Sequence, residues 1–568
     1  MSNYQAKNNA AEPEVAPKRR RAFWLASGVA GLTGVVSIAA VGIGAGAVSA
    51  DGLRWSTAQQ VSSDSDRGPG AAEGHEGKKR DRGGDQRDDQ RKDRGGNEHE
   101  NRGGDEYKDR GDDRKDHEKE VPCDSDKLIQ ALVFANDNHG GVLNLAKGCT
   151  YTLTRSDVGD GTGPNGLPVI TENVVLKGHD TKIVRDATAE EFRILNVGRG
   201  GNLTVKGLTI KNGQTRALPI NGDTPEAVWS RFSNSVEATK AAEAKKAYLP
   251  LLQAAPKGAA LKAAQAKAAP SVLLEPESND GGGVLVQPGG SASFSDTHIV
   301  ANQAGGVGGG LANFGKADLH RSTVADNTAF LYGGGIFNAS VLRVAESRII
   351  NNDAIIGGGG VANGAAFIFR EDIDGGTALI EKTEITGNEV LGFGGGLLDI
   401  EGNTTVQHSK ILHNTAVLAG GGVTAAGDDS TLELAHVELA KNTTVGVGGG
   451  LALGFTAIAN VSDSKIVENK AGFFGGGVFN GTGEATFRNS EISGNRAVGP
   501  LGVGGGIFTV SGEIDLEKTR VSHNFATLAP GGVFSFIGQV NVDDKSAITA
   551  NKPTNCAGTI TAIPNCFG

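Results

Sequence analysis

Acidic side chains gather at three points of this sequence where their types and spacing suit chemistry. The segment Arg370-Glu371-Asp372-Ile373-Asp374 holds three carboxylates and one cation. Asp399 and Glu401 follow, and then the pair Asp428-Asp429. Each group comes shortly after a run of three glycines: Gly358-Gly359-Gly360, Gly394-Gly395-Gly396 and Gly420-Gly421-Gly422. A fold that stacks these runs brings the carboxylates to one corner. Converging carboxylates can bind Ca²⁺ through oxygen, with Asp372, Asp374, Asp399 and Glu401 as the candidate ligands. They can also supply the acid and base of a glycosidase, drawn from Asp372, Asp374, Asp399, Asp428 and Asp429. A solvated acidic loop cluster explains the same residues without any chemistry.

Other chemistry leaves little trace. His408, His413, His436 and His523 occupy variable positions where charged residues stand elsewhere, so they read as surface residues. No Ser/His/Asp nucleophile pattern is recognisable. The glycine runs lack the Gly-x-x-x-x-Gly-Lys-Ser/Thr spacing of a phosphate loop, and no calcium-binding Gly-Gly-x-Gly-x-Asp array occurs.

The element that must position the carboxylates is a repeat. Asn302, Asn327, Asn352, Asn388, Asn414, Asn442, Asn469, Asn495, Asn524 and Asn551 recur 25–29 residues apart, with one interval of 36. Six residues after nearly every one a glycine triplet begins, as at Gly308, Gly394 and Gly475; Gly504 is three late, and Pro530-Gly531-Gly532 replaces the last. Such a period marks a solenoid. Three residues before each asparagine stands Ile, Val or Leu, as at Ile411 and Ile466. Five before stands Ser or Thr, Val437 excepted, and eight before, in the first nine units, stand apolar residues such as Phe294, Leu319, Val406 and Phe487. This is period-two alternation in short β-branched runs, which predicts strands. A coil this short has no room for a helix and reads as a β-helix.

Four residues before the asparagine the charge alternates over seven coils: Arg348, Glu384, Lys410, Glu438, Lys465, Glu491, Arg520. Equivalent residues of stacked coils lie ~4.8 Å apart, where opposite charges attract modestly and like charges repel. The alternation predicts in-register stacking with this row facing water. The asparagines are expected at a turn, in left-handed geometry, with their amides stacked into a ladder. The glycines are expected at tight bends or close backbone approaches.

These motifs resemble the right-handed parallel β-helix proteins of the pectate-lyase-like superfamily. More narrowly, they are similar to secreted bacterial proteins with polymorphic-outer-membrane-protein repeats, whose Gly-Gly-Ala-Ile and Phe-x-x-Asn motifs correspond to Gly334-Gly335-Ile336 and Ile385-x-x-Asn388. Here Ile or Val replaces Phe and a third Gly is common. The resemblance covers about residues 121–566. It implies an all-β, single-stranded right-handed parallel β-helix. The superfamily includes lyases, hydrolases, adhesins and proteins of no known activity, so the fold does not set the function. Related lyases hold Ca²⁺ with carboxylates beside an Arg or Lys base, which points to Arg370 as the candidate. Related hydrolases cluster Asp, but their Asn-Thr-Asp motif is absent.

The rest of the 568 residues frames the repeat. Residues 1–50 read as an export signal: Lys18-Arg19-Arg20-Arg21 precedes an uncharged stretch from Ala22 to Ala50, with small residues before Asp51. The stretch is also long enough to span a bilayer, which leaves an uncleaved anchor open. Residues 51–120, nearly devoid of large aliphatics over 61–120, are expected to be a disordered charged linker. Residues 121–213 form the N-terminal cap and first coils. Ser125–Ala135 is expected to be a capping helix with Leu128, Ile129, Leu132 and Val133 on one face and Asp124 or Ser125 as its N-cap. Residues 214–278 read as an Ala/Lys-rich helical insertion, with the repeat coils and C-terminal cap over 279–568. The four cysteines pair as Cys123 with Cys149 and Cys556 with Cys566, one disulfide per end, as export permits.

The net charge of −10 weighs against nucleic-acid binding. The sequence therefore points to an extracellular protein, secreted or tethered to the cell surface. It is expected to be a non-catalytic scaffold that binds polysaccharide or other cell-surface components, with no cofactor unless the acidic corner holds calcium. The alternative is an extracellular polysaccharide lyase or glycoside hydrolase. The scarcity of Trp and Tyr in the coils counts against sugar stacking. Membrane contact is expected only through an uncleaved N-terminal segment.

Overall fold

The computed structural model describes residues 118–157, 161–215, 278–365 and 373–568. The export segment, nearly all of the charged linker, most of the insertion, and Arg370, Glu371 and Asp372 lie outside the described residues. No helix among the described residues is long and apolar enough to cross a membrane.

One coil shows how the sequence makes the fold. Its strands are Asn403–Gln407, Lys410–Leu412, Thr415–Ala416 and Val423–Ala426. Val406 and Ile411 point inward and are wholly buried. The next coil repeats this with Thr431–Ala435, Glu438–Ala440, Thr443–Thr444 and Leu451–Gly454. Pairing between the two is parallel and in register, Ile411 on Leu439 and Val423 on Leu451. Leu439 in turn pairs with Ile466, so Ile411 and Ile466 point inward two coils apart. Repetition builds three parallel faces, of 25, 9 and 11 strands among the described residues. The chain is a parallel β-solenoid.

The turns differ from expectation in one respect. The ladder asparagines are not left-handed. The residue before them takes that geometry instead: φ is +55° at Asp326, +54° at His413 and +55° at Lys441. This turn directs the following asparagine inward, where all ten are buried. A buried amide must be bonded, and each is bonded to the next coil. Asn414 Nδ2 donates to Asn442 Oδ1 at 3.0 Å and to Ile385 O at 3.0 Å, while its backbone N–H also donates to Asn442 Oδ1. The ladder begins where Gly213 N–H donates to Asn302 Oδ1 and ends where Asn551 donates to Asn555 Oδ1. Serine and threonine five residues earlier run a parallel ladder, as where Ser322 N–H donates to Ser347 Oγ.

Within a glycine triplet the roles divide. Gly394 has φ +68°, which L side chains rarely adopt. A Cβ on Gly395 or Gly396 would run into the carbonyl oxygens of Gly421 or Gly422 in the next coil. The alternating charges are stacked as expected, Arg348 on Glu384 and Lys410 on Glu438, with ion pairs of 3.5 and 3.7 Å. Exposed pairs of this kind contribute up to ~1 kcal/mol each.

Both disulfides are formed, with Cα–Cα separations of 5.6 Å for Cys123–Cys149 and 6.2 Å for Cys556–Cys566. A helix spans Ser125–Asp137, and the Asp124 carboxylate caps it by accepting from the N–H groups of Asp126 and Lys127. Its buried face is Leu128, Ala131, Leu132 and Ala135. Val133, expected on that face, is exposed, because the i, i+3, i+4, i+7 series from Leu128 passes through the alanines.

Candidate functional site

The sequence brought seven carboxylates to one corner, and the described ones divide into buried and exposed. Asp399 lies in the strand Leu397–Ile400, third after the glycine triplet, and is wholly buried. Glu401 follows with φ +50°. Asp428 and Asp429 are exposed, and Asp428 accepts a hydrogen bond from Thr456 Oγ1. Ile400 pairs with Ala426, so Glu401 and Asp428 leave the sheet at the same turn of neighbouring coils. Asp374 is half-buried beside the undescribed loop residues.

Asp399 takes part in a second internal ladder. Asn313, Asn338, Asn363 and Asp399 stack in register on four successive coils. Asn313 Nδ2 donates to Asn338 Oδ1 at 2.7 Å, Asn338 Nδ2 to Asn363 Oδ1 at 2.7 Å, and Asn363 Nδ2 to Asp399 Oδ1 at 2.8 Å. Every amide donates in the same direction, so the last needs an acceptor, and Asp399 supplies it. Thr404 Oγ1 also donates to Oδ1, at 2.5 Å, and Ser430 Oγ of the following coil donates to Oδ2 at 2.5 Å. Burial pushes the Asp399 carboxyl above its ordinary range, while the bonds from Ser430, Thr404, Asn363 and Gly402 pull it back.

This setting does not fit a calcium ligand. Both Asp399 oxygens face N–H and O–H donors, whereas a cation requires oxygen lone pairs directed at it. Among the described residues, no three His, Cys, Asp or Glu side chains are grouped to hold a metal ion. A signal for the role of Asp399 was present. It stands five residues after the first glycine of its triplet, as Asn313, Asn338, Asn363 and Asn480 do.

A row of largely buried aromatic residues is not among the sequence-predicted site residues. The second residue after the triplet points away from the core into separate apolar clusters, and it is repeatedly Phe: Phe337, Phe479, Phe508 and Phe534. Phe479, Phe508 and Phe534 lie in register, with ring centroids 5.8 and 4.8 Å apart. Phe474, from the loop before its triplet, stacks on Phe508 at 4.5 Å. Phe474 and Phe534 are half-buried and edge this row. The expected surface histidines are exposed, and His408 and His436 stack with centroids 4.7 Å apart.

No family profile matches the chain, and no curated protein matches it. Among solved structures it is similar to the A-module of the Azotobacter vinelandii mannuronan C-5 epimerase AlgE6. The identity is 13%, over 78% of this chain and 95% of that one, with a TM-score of 0.34. It is also similar to PfbA, a surface adhesin of Streptococcus pneumoniae, at 8% identity over 74% of this chain and 88% of that one, with a TM-score of 0.22. The parallel β-solenoid is established by the chain's own strand pairing.

Proposed function

We propose that this chain is an extracellular, non-catalytic β-helix scaffold that binds a polysaccharide or another cell-surface component. The observation that carries this reading is the engagement of Asp399. It belongs to both the candidate calcium set and the candidate catalytic set, yet its oxygens are occupied as the terminus of a buried amide ladder. The two disulfides suit an oxidising compartment. The half-buried Phe474 and Phe534, backed by the buried Phe479 and Phe508, supply the contact, since aromatic faces favour association.

The finer features belong to the same proposal. The winding is right-handed, as in the pectate-lyase-like superfamily and the polymorphic-outer-membrane-protein repeats. The Ser125–Asp137 helix caps the first coil. Residues 1–50 direct export, 51–120 space the solenoid from its anchor, and 214–278 are an excursion from the coils. Neither a cofactor nor a nucleic acid is assigned.

The test is a screen of acidic polysaccharides with the wild-type chain, reading new reducing ends and the absorbance of new double bonds, with and without calcium. The expected outcome is no cleavage, together with retention on at least one polymer that Phe474→Ala with Phe534→Ala weakens. Cleavage of any polymer by the wild type would overturn the reading in favour of a lyase or hydrolase.

A further inference from the structure

Of two outward rows of charge along the stack, the one from Arg348 to Arg520 alternates and the other does not. The other begins one residue after each ladder asparagine, on the nine-stranded face. From Asp353 it reads Asp353, Glu389, Thr415, Thr443, Lys470, Arg496, each in register with the next. Here like charges are stacked, acid on acid and base on base, although direct stacking of like charges is unfavourable. Burial, then Glu389 and Asp326, push the Asp353 carboxyl up to about 7. At the other end Arg496 sits over the Phe525 ring, 4.9 Å from its centroid. Among the described residues, no ion pair joins Asp353, Glu389, Lys470 or Arg496 to an opposite charge.

The row is, however, complementary to its own reverse. Read backwards it is base, base, Thr, Thr, acid, acid. Just past each two-residue strand, two positions beyond the charged row, run half-buried apolar residues: Ile355, which also packs against a neighbouring apolar cluster, Leu391, Val417, Val445 and Val498, with Gly472 between the last two. Reversed, it sets Ile355 against Val498 and Val417 against Val445, with Leu391 over Gly472.

We propose that this face is the contact between two copies of the chain, packed antiparallel about a two-fold axis between the Thr415 and Thr443 coils. Asp353 then meets the partner's Arg496, Glu389 meets the partner's Lys470, and Val417 lies on the partner's Val445. A two-fold interface requires such a self-complementary patch. The neighbouring turn row is compatible. It sets Asp326 against the partner's His523, and His413 against the partner's Lys441, whose charge already faces Glu468 at 3.8 Å. Six coils at ~4.8 Å span about 24 Å. The contact is therefore small beside the ~800 Å² per partner of a standard interface, and the dimer is weak and salt-sensitive.

Charge reversal gives a test that separates this account from misfolding. The full chain is followed by sedimentation at rising concentration, at low and high salt. The wild type should approach twice the monomer mass at low salt and return to monomer at high salt. Asp353→Lys with Glu389→Lys makes the row wholly basic, and Lys470→Glu with Arg496→Glu makes it wholly acidic. Each double variant alone should stay monomeric while keeping the circular-dichroism spectrum of the folded wild type. Mixed in equal amounts they should form a heterodimer, because both halves of the contact are restored. A wild type that stays monomeric at about 0.5 mM and low salt, a concentration at which even a weak, sub-millimolar dimer is populated, would overturn the proposal. So would variants that still self-associate, or a mixture that does not.

Discussion

The two buried amide ladders are built from the same residue, yet they end in different ways. The long one runs through every repeat from Asn302 to Asn551 and closes on Asn555, whose amide donates to Phe567 O beside the Cys556–Cys566 disulfide. Each rung both donates and accepts, so only asparagine serves. The short one runs from Asn313 to Asn363 and stops at Asp399, which only accepts. Its final rung collects donors from the coil before, its own coil and the coil after. An acidic residue inside a solenoid can thus be a terminus of hydrogen-bond polarity. Its burial and shifted acidity are not by themselves evidence of catalysis.

Removing the terminus should have the largest effect. Asp399→Ala deprives Thr404 and Ser430 of their acceptor and Asn363 of one of its three, since Asn363 Nδ2 also donates to Gly376 O at 2.8 Å and to Thr404 Oγ1 at 3.0 Å. Unsatisfied buried donors cost about 1–3 kcal/mol each, so a loss of roughly 2–4 kcal/mol is expected in thermal unfolding. A loss below the error of the measurement would show that water replaces the carboxylate.

A smaller effect should appear with pH. The Asp399 carboxyl is raised in the fold, so the folded state holds a proton that the unfolded chain releases first. Its stabilisation is complete below the ordinary carboxylate range and is lost as pH rises through the raised value. Asp353, pushed up to about 7, contributes a slope of the same sign, from the ordinary range to about that pH. In an Asp353→Asn background, the further change Asp399→Asn should flatten what remains of the fall in melting temperature with rising pH. A slope left intact would place its source elsewhere.

Much of this is legible in the sequence. The offset from asparagine to glycine triplet fixes the coil, because a left-handed glycine and a close approach to the next coil recur at set places. The alternation from Arg348 to Arg520 gave the register, since only direct stacking makes the sign of a neighbour matter. Cysteines at the two ends of the repeat indicated their own pairing. The role of Asp399 was harder to see. Its strand is short and buried on both faces, the outer one under loops carrying Phe393 and Tyr332. Polarity alternation therefore carries no inward or outward sign there, and proximity in sequence alone places Asp399 with the exposed Asp428 and Asp429. The phenylalanine row was overlooked for a related reason. Its Phe residues stand in short apolar runs that read as core.

The central claim is that ladder position, not residue type, decides what an inward amide or carboxylate does. Two opposite swaps test it most directly: the melting temperatures of Asn414→Asp and Asp399→Asn. In Asn414→Asp one oxygen still accepts from Asn388, but the other faces Ile385 O and Asn442 Oδ1, which are acceptors. A loss of about 3–5 kcal/mol is expected, as for a buried charge left without a partner. In Asp399→Asn the amide oxygen keeps Asn363 and Thr404, and the Ser430 hydroxyl can turn to accept, so the change should stay within about 1 kcal/mol. Equal losses, or a larger loss for Asp399→Asn, would contradict the account.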